Sequence, residues 1–204
     1  MKKIYILLFL CLAMAAKSQS VSDVFKTMPA DLLPGFSDAN KTMLVVDTGK
    51  TVIRYALGEV EKTHHTQSFL SLKTSEAGTT QIRLLPLSSD SNVVCVVKTV
   101  CASVCDSHIS FYTTNWVKLN ANDYLPTISV ESFLDSAKKG TDNYKYAVSL
   151  PDISPIKAEF VNGQTDLLLT FDYKSYLSDD IITQLQPFLK SDSIRLKWNN
   201  SRFR

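Results

Sequence analysis

The run Asn92-Val93-Val94-Cys95-Val96-Val97 constrains the fold of this 204-residue chain more than any other segment. In an extended backbone, successive side chains point to opposite faces. Val93, Cys95 and Val97 therefore lie on one side, with Val94 and Val96 on the other. A strand that is apolar on both sides is stable only where something packs above it and below it. The chain must then place this segment centrally in a sheet and supply enough apolar residues to cover it. With 45% hydrophobic residues, it has them.

The partner of this strand lies a few residues downstream. Strands over 92–101 and 105–114, joined by a tight turn at Ala102-Ser103-Val104, set Cys101 opposite Cys105. Thr99 then faces Ser107, Val97 faces Ile109 and Cys95 faces Phe111. All four pairs fall on one face, as a period of two demands. One register thus joins two cysteines and two apolar pairs. It predicts a Cys101–Cys105 disulfide, with Cys95 a buried free thiol beneath Phe111. A C-x3-C spacing with no helix start behind it is not that of a redox-active pair. A metal would need a fourth ligand, and the spacing offers none, so no metal or other cofactor is expected.

A disulfide belongs to an oxidising compartment, and the N-terminus points to one. Lys2 and Lys3 precede an uncharged apolar run from Ile4 to Ala16, and Ala16-Lys17-Ser18 offers a small-x-small exit. This is the pattern of a secretory signal over residues 1–18, cleaved near Ser18/Gln19. The apolar run is shorter than the ~20 residues of a membrane span, and no later segment is longer. Cys11 follows the bulky Phe9 and Leu10, so no lipid anchor is expected. Loss of Lys2, Lys3 and Lys17 from the 22 basic side chains leaves them one short of the 20 acidic ones. A balance that even, with no basic face, argues against nucleic acid as a partner. The expected location is the periplasm or the extracellular space.

Ser20 can cap a first helix with Asp23 closing a capping box, and Val21, Val24, Phe25 and Met28 form its apolar stripe. Pro29 stops it. Asp38 can cap a second short helix carrying Met43, Leu44 and Val46. Strands are expected at 51–57, 67–73, 79–87, 92–101 and 105–114, with His64-His65 in an exposed loop between two of them. Residues 116–128 turn polar and read as a connection. Beyond it, Ser129 can cap a helix closed by Gly140, and Tyr144, Tyr146, Val148 and Leu150 alternate as on a strand. Asn162-Gly163 between two apolar runs is a strong hairpin signal. Ser178 can cap a last helix with Asp179 and Asp180 in its first turn, where the helix dipole favours anions. Ile194, Leu196 and Trp198 alternate in a final strand.

Short links between strands make the sheets antiparallel, and the fold class is α+β: β-meander sheets with short helices packed on one face. Two similar halves are expected. Residues 19–115 form a helix pair plus sheet and residues 129–204 a helix plus sheet, joined by 116–128.

Several stretches resemble an uncharacterised family of secreted Bacteroidales proteins, known as domain of unknown function 3256. They are Val24-Phe25-Lys26-Thr27-Met28-Pro29 with Leu32-Leu33-Pro34, then Phe69-Leu70-Ser71-Leu72 and Gln81-Ile82-Arg83-Leu84-Leu85-Pro86. Val93-Val94-Cys95-Val96-Val97 and Asp106-Ser107-His108-Ile109-Ser110-Phe111-Tyr112, ending at Trp116, complete the set. The resemblance implies export and a compact fold, and it brings no catalytic residues. The order of paired helices then sheet is also similar to beta-lactamase-inhibitor-like modules, a likeness of fold alone. Asp135-Ser136-Ala137 and Asp192-Ser193-Ile194 look like the acceptor pattern of Bacteroidales O-glycosylation, which makes Ser136 and Ser193 candidate sites.

The chemistry-bearing residues are few. His64 and His65, adjacent on an extended chain, would point apart and not share an ion. Asp106-Ser107-His108 has the letters of a hydrolase triad, but a triad needs side chains converging from separate elements. Asp179 and Asp180 are explained by their helix start. The aromatics Tyr144, Tyr146, Tyr173 and Tyr176 are candidate ligand-facing residues for a sugar or peptide. The reading that follows is a non-catalytic interaction module of the cell envelope, not an enzyme, binding an envelope protein or surface polymer. The alternatives are a hydrolase or carbohydrate-active enzyme with scattered residues, and a structural subunit of an envelope assembly. A deep cleft with converging carboxylates or histidines would favour the enzyme.

Overall fold

The computed structural model describes residues 19–88, 91–149, 151, 153–161 and 164–204; the expected leader 1–18 and the turn Asn162-Gly163 lie outside the described residues. Helix α1 (Val21–Lys26) opens at Ser20, whose hydroxyl accepts from Asp23 N at 3.2 Å while the Asp23 carboxylate accepts from Ser20 N. This reciprocal pair is the expected capping box. Helix α2 (Asp38–Leu44) is capped by Ser37 rather than Asp38: the Ser37 hydroxyl accepts from Asn40 N at 3.2 Å. Leu44 is buried, but Met43 and Val46 are exposed.

Seven strands follow as a meander in which each pairs antiparallel with the next. They are β1 (Thr51–Tyr55), β2 (Gly58–His65), β3 (Phe69–Lys73), β4 (Gly78–Pro86), β5 (Asn92–Cys101), β6 (Cys105–Thr113) and β7 (Lys118–Leu119). The β5–β6 register sets Cys95 opposite Phe111, Val97 opposite Ile109, Thr99 opposite Ser107 and Cys101 opposite Cys105. Cys101 and Cys105 are disulfide-bonded, and Cys95 is a buried free thiol.

The expected loop at His64-His65 is instead the end of β2. Its sequence is charged, with Val60 its only aliphatic residue, which hides a strand from any pattern of apolar alternation. A bulge between Lys62 and His64 shifts the register against β3. The two rings point apart. His64 lies 5.5 Å from the Phe69 ring, and His65 sits between Ser22 Oγ at 2.8 Å and the Asp47 carbonyl at 2.9 Å.

Both faces of the sheet are covered. On one, Val21, Val24, Phe25 and Leu44 from the two helices, with Met28 just beyond the first, pack on Leu70, Leu72, Ile82, Leu84, Val94 and Val96. On the other, Phe69, Leu85, Val93, Cys95, Val97 and Phe111 meet the C-terminal part of the chain. Five consecutive β5 side chains, Val93 to Val97, are thereby buried. Each aliphatic one contributes roughly 1.5–3 kcal/mol.

The C-terminal part contains α3 (Asp142–Ser149), β8 (Ile156–Phe160), β9 (Leu167–Phe171), α4 (Asp179–Leu185) and β10 (Ser193–Leu196). The three strands form an antiparallel sheet in the order β10-β9-β8. A two-residue hairpin, β11 (Trp198–Asn199) with β12 (Arg202–Phe203), ends the fold. Thus Trp198 leaves the strand that holds Ile194 and Leu196. Two further expectations are corrected. Residues 142–149 are helical rather than extended, because Thr141 supplies a start: its hydroxyl accepts from Tyr144 N at 3.2 Å. Tyr144 and Ala147, three apart, then face the core. The helix expected after Ser129 is two 3-10 turns, Val130–Phe133 and Ser136–Lys138, interrupted where extended Leu134 pairs with Leu189.

Candidate functional site

The disulfide-closed turn delivers Asp106 and Ser107 to the start of β6, next to the outer edge of β8. Strand β8 has β9 on one side only. Its other edge would leave every second N–H unpaired, because ladder bonds alternate along an antiparallel strand. Side chains of the large sheet take those donors. Ile156 N donates to Asp106 Oδ1 at 3.0 Å, Ala158 N to Ser107 Oγ at 2.8 Å and Phe160 N to Gln81 Oε1 at 2.8 Å. Thr99 Oγ1 lies 2.8 Å from Ser107 Oγ, and both hydroxyls reach the Ala158 carbonyl at 3.4 Å.

Where β6 and β8 diverge, the segment 121–128 closes over the gap and leaves a half-open groove of about 390 Å³. Ile109, Leu125, Pro126, Ile128, Ile156 and Leu169 supply apolar lining; Asp106, Asn122, Thr127 and Ser154 supply the polar part. The wall at 153–156 is tethered by Tyr176, whose hydroxyl donates to the Ile153 carbonyl at 2.9 Å. Burial first, and the nearby Asp172 carboxylate second, push the Tyr176 phenol up to about 12. It stays a neutral donor at physiological pH. The groove therefore offers apolar surface and shape, with its Asp106 carboxylate and Ser107 hydroxyl already holding β8.

The residues singled out in the sequence are scattered. Tyr144 is buried against Phe188 at 6.1 Å, and Tyr173 is buried against Phe171 at 5.6 Å. Tyr146 is exposed on α3, and Tyr176 touches the groove only through its tether. The four do not share a face. Asp179 and Asp180 occupy the first turn of α4. Asp106 and Ser107 serve β8, while His108 pairs across the sheet with Lys98. Ser136 is exposed in a 3-10 turn and Ser193 at the start of β10. Cys95 is completely enclosed, and burial pushes its thiol well above the ordinary value, so it stays protonated.

The groove itself was not legible in the sequence. Asp106 meets Ile156 across 50 residues, and neither carries a local signal of the other. The nearest hint was the polar pair Asp106-Ser107 at the entry of the strand that pairs with the apolar run 93–97.

Fold and groove together define an α+β protein in which a seven-stranded antiparallel meander is packed between a helix pair and a second, smaller sheet. The chain belongs to the family described as a protein of unknown function (DUF3256), whose model matches residues 13–203. Among solved structures it is similar to a domain of an uncharacterized protein from Porphyromonas gingivalis W83. That likeness has a TM-score of 0.76 at 23% identity, covering 90% of this chain and 96% of the other. No curated protein matches the chain.

Proposed function

We propose that this protein is exported and acts as a non-catalytic binding module of the cell envelope, holding part of an envelope protein or surface polymer in the groove between β6 and β8. The observation that carries the reading is the composition of that groove. A concavity of about 390 Å³ with apolar lining and a few polar groups is of the size and character of ligand sites in general. Asp106 and Ser107, the lining groups with the most obvious chemistry, are engaged by the backbone of β8. The disulfide agrees with life in an oxidising compartment.

The test uses the mature chain as bait on envelope extract, beside a variant in which the exposed, groove-lining Thr127 is replaced by tryptophan. Thr127→Trp fills the groove from an exposed position and replaces no core residue. The expected outcome is a partner or polymer retained by the parent chain and lost, by tenfold or more, from the variant. Equal retention by both would move the site elsewhere. Turnover in a substrate screen with no retained partner would reverse the reading in favour of an enzyme. N-terminal sequencing of native material should begin near Gln19.

A further inference from the structure

Among the described residues that line the groove between β6 and β8, Asp106 alone is charged. The rest of the wall is aliphatic, as at Ile109, Leu125 and Ile128, or neutral and polar, as at Asn122 and Thr127. None of these lining residues is aromatic. Docking β8 occupies one oxygen of the Asp106 carboxylate: Oδ1 accepts from Ile156 N at 3.0 Å. Among the described residues that is the side chain's one hydrogen bond, and no lysine, arginine or histidine pairs with it. Asp106 is an exposed residue, so solvent satisfies what Ile156 leaves free.

An occupant changes that balance. Filling the groove expels water from around the carboxylate, which then needs a donor or a cation in exchange. An anionic occupant is repelled, and a wholly apolar one leaves the charge without compensation. A sugar finds no aromatic face to stack on. On the reading that this groove is the binding site, we infer that its occupant is an extended segment of a partner protein carrying a lysine between aliphatic residues. The lysine ammonium meets Asp106 Oδ2, and its aliphatic neighbours lie against Ile109, Leu125 and Ile128. An ammonium is a point charge satisfied by one oxygen, which suits a carboxylate whose other oxygen is taken. The guanidinium fork of arginine engages both.

The test is fluorescence anisotropy with the mature protein and blocked pentapeptides of leucine and valine, each bearing a neutral fluorophore and differing only in a central lysine, methionine or glutamate. The lysine peptide should bind about fivefold tighter than the methionine peptide, an advantage that shrinks as sodium chloride is raised. The glutamate peptide should bind most weakly. Asp106→Asn keeps an Oδ1 for Ile156 N and removes only the charge, so it should bind the lysine and methionine peptides alike. Should that variant fail to fold, the salt series on the parent decides, and a lysine advantage indifferent to sodium chloride overturns the assignment. Thr127→Trp should bind none of the peptides. Equal affinity of the parent for lysine and methionine peptides, lost in Thr127→Trp, keeps the groove as the site and overturns the lysine. A saccharide retained from envelope extract by the parent and lost from Thr127→Trp does the same. A parent that binds no lysine peptide also overturns the assignment, and retention from extract then judges the groove by itself. Lysine-peptide binding that survives Thr127→Trp overturns both.

Discussion

The side chain of Lys62 is 1% exposed, and its ammonium donates to the carbonyls of Leu44 and Asp47 at 2.7 Å each, with the Asp47 carboxylate at 3.4 Å. It closes the C-terminal end of α2, where helix carbonyls run out of partners and a cation is favoured. Lys62→Met keeps the aliphatic stem and abandons both carbonyls. Losing those bonds outweighs the relief of a buried charge that is already paired, so the variant should lose about 2–4 kcal/mol in urea unfolding. A variant as stable as the parent would show that the ammonium adds nothing net. Tyr176 gives a pH prediction. Its phenol has a folded pKa of about 12 against an ordinary 10.0, so the neutral form is the one the fold favours. That stabilisation is fully present below pH 10 and is lost as pH rises towards 12. Absorbance titration should show one high tyrosinate step that Tyr176→Phe removes.

At the scale of elements, the β5–β6 hairpin is held at its tip by a cystine spanning a separation of only four residues. So small a loop restricts the unfolded chain modestly. Replacing both Cys101 and Cys105 by alanine should therefore cost about 2 kcal/mol. A loss much larger than that, measured by denaturant unfolding, would mean that the tip also controls how Asp106 and Ser107 dock β8. Strand β8 shows how an edge can be blunted without a further strand. Gln81, Asp106 and Ser107 receive its N–H groups and simultaneously fix the spacing between the two sheets. The N-terminal helices are tied down in a related way: Lys41, Lys62 and Lys98 donate to the carbonyls of Met28, Leu44 and Leu32. Backbone groups outside the ladders thus find side-chain partners, Lys62 and Lys98 from the sheet and Lys41 from α2, as burial requires.

Across the whole molecule, Phe111 and Phe69 of the large sheet share one cluster with Phe160, Phe171 and Phe203 of the C-terminal part. The second face of the meander cannot be uncovered without exposing those rings to water. Heat or denaturant should therefore unfold the chain in a single cooperative step, with near-ultraviolet and far-ultraviolet circular dichroism coincident. Two separated transitions would show that residues 129–204 melt on their own.

The sequence by itself determined the α1 cap, the central strand, the register of β5 on β6 and the cystine that follows from it. Each depends on contacts close along the chain, where a period or a single turn is enough to fix geometry. It misjudged β2, whose charges conceal its extended form, and α3, where Tyr144, Tyr146 and Val148 alternate as a strand would while Tyr144 and Ala147 keep helical spacing. Only the tertiary structure decided that β8 rests on Asp106, Ser107 and Gln81, that a groove opens beside it, and that Arg83 is buried beside the Phe69 ring. Those outcomes join residues 50 or more positions apart, or depend on which face another element covers. The free energy that selects them is that of packing and desolvation, which no local pattern of side chains records.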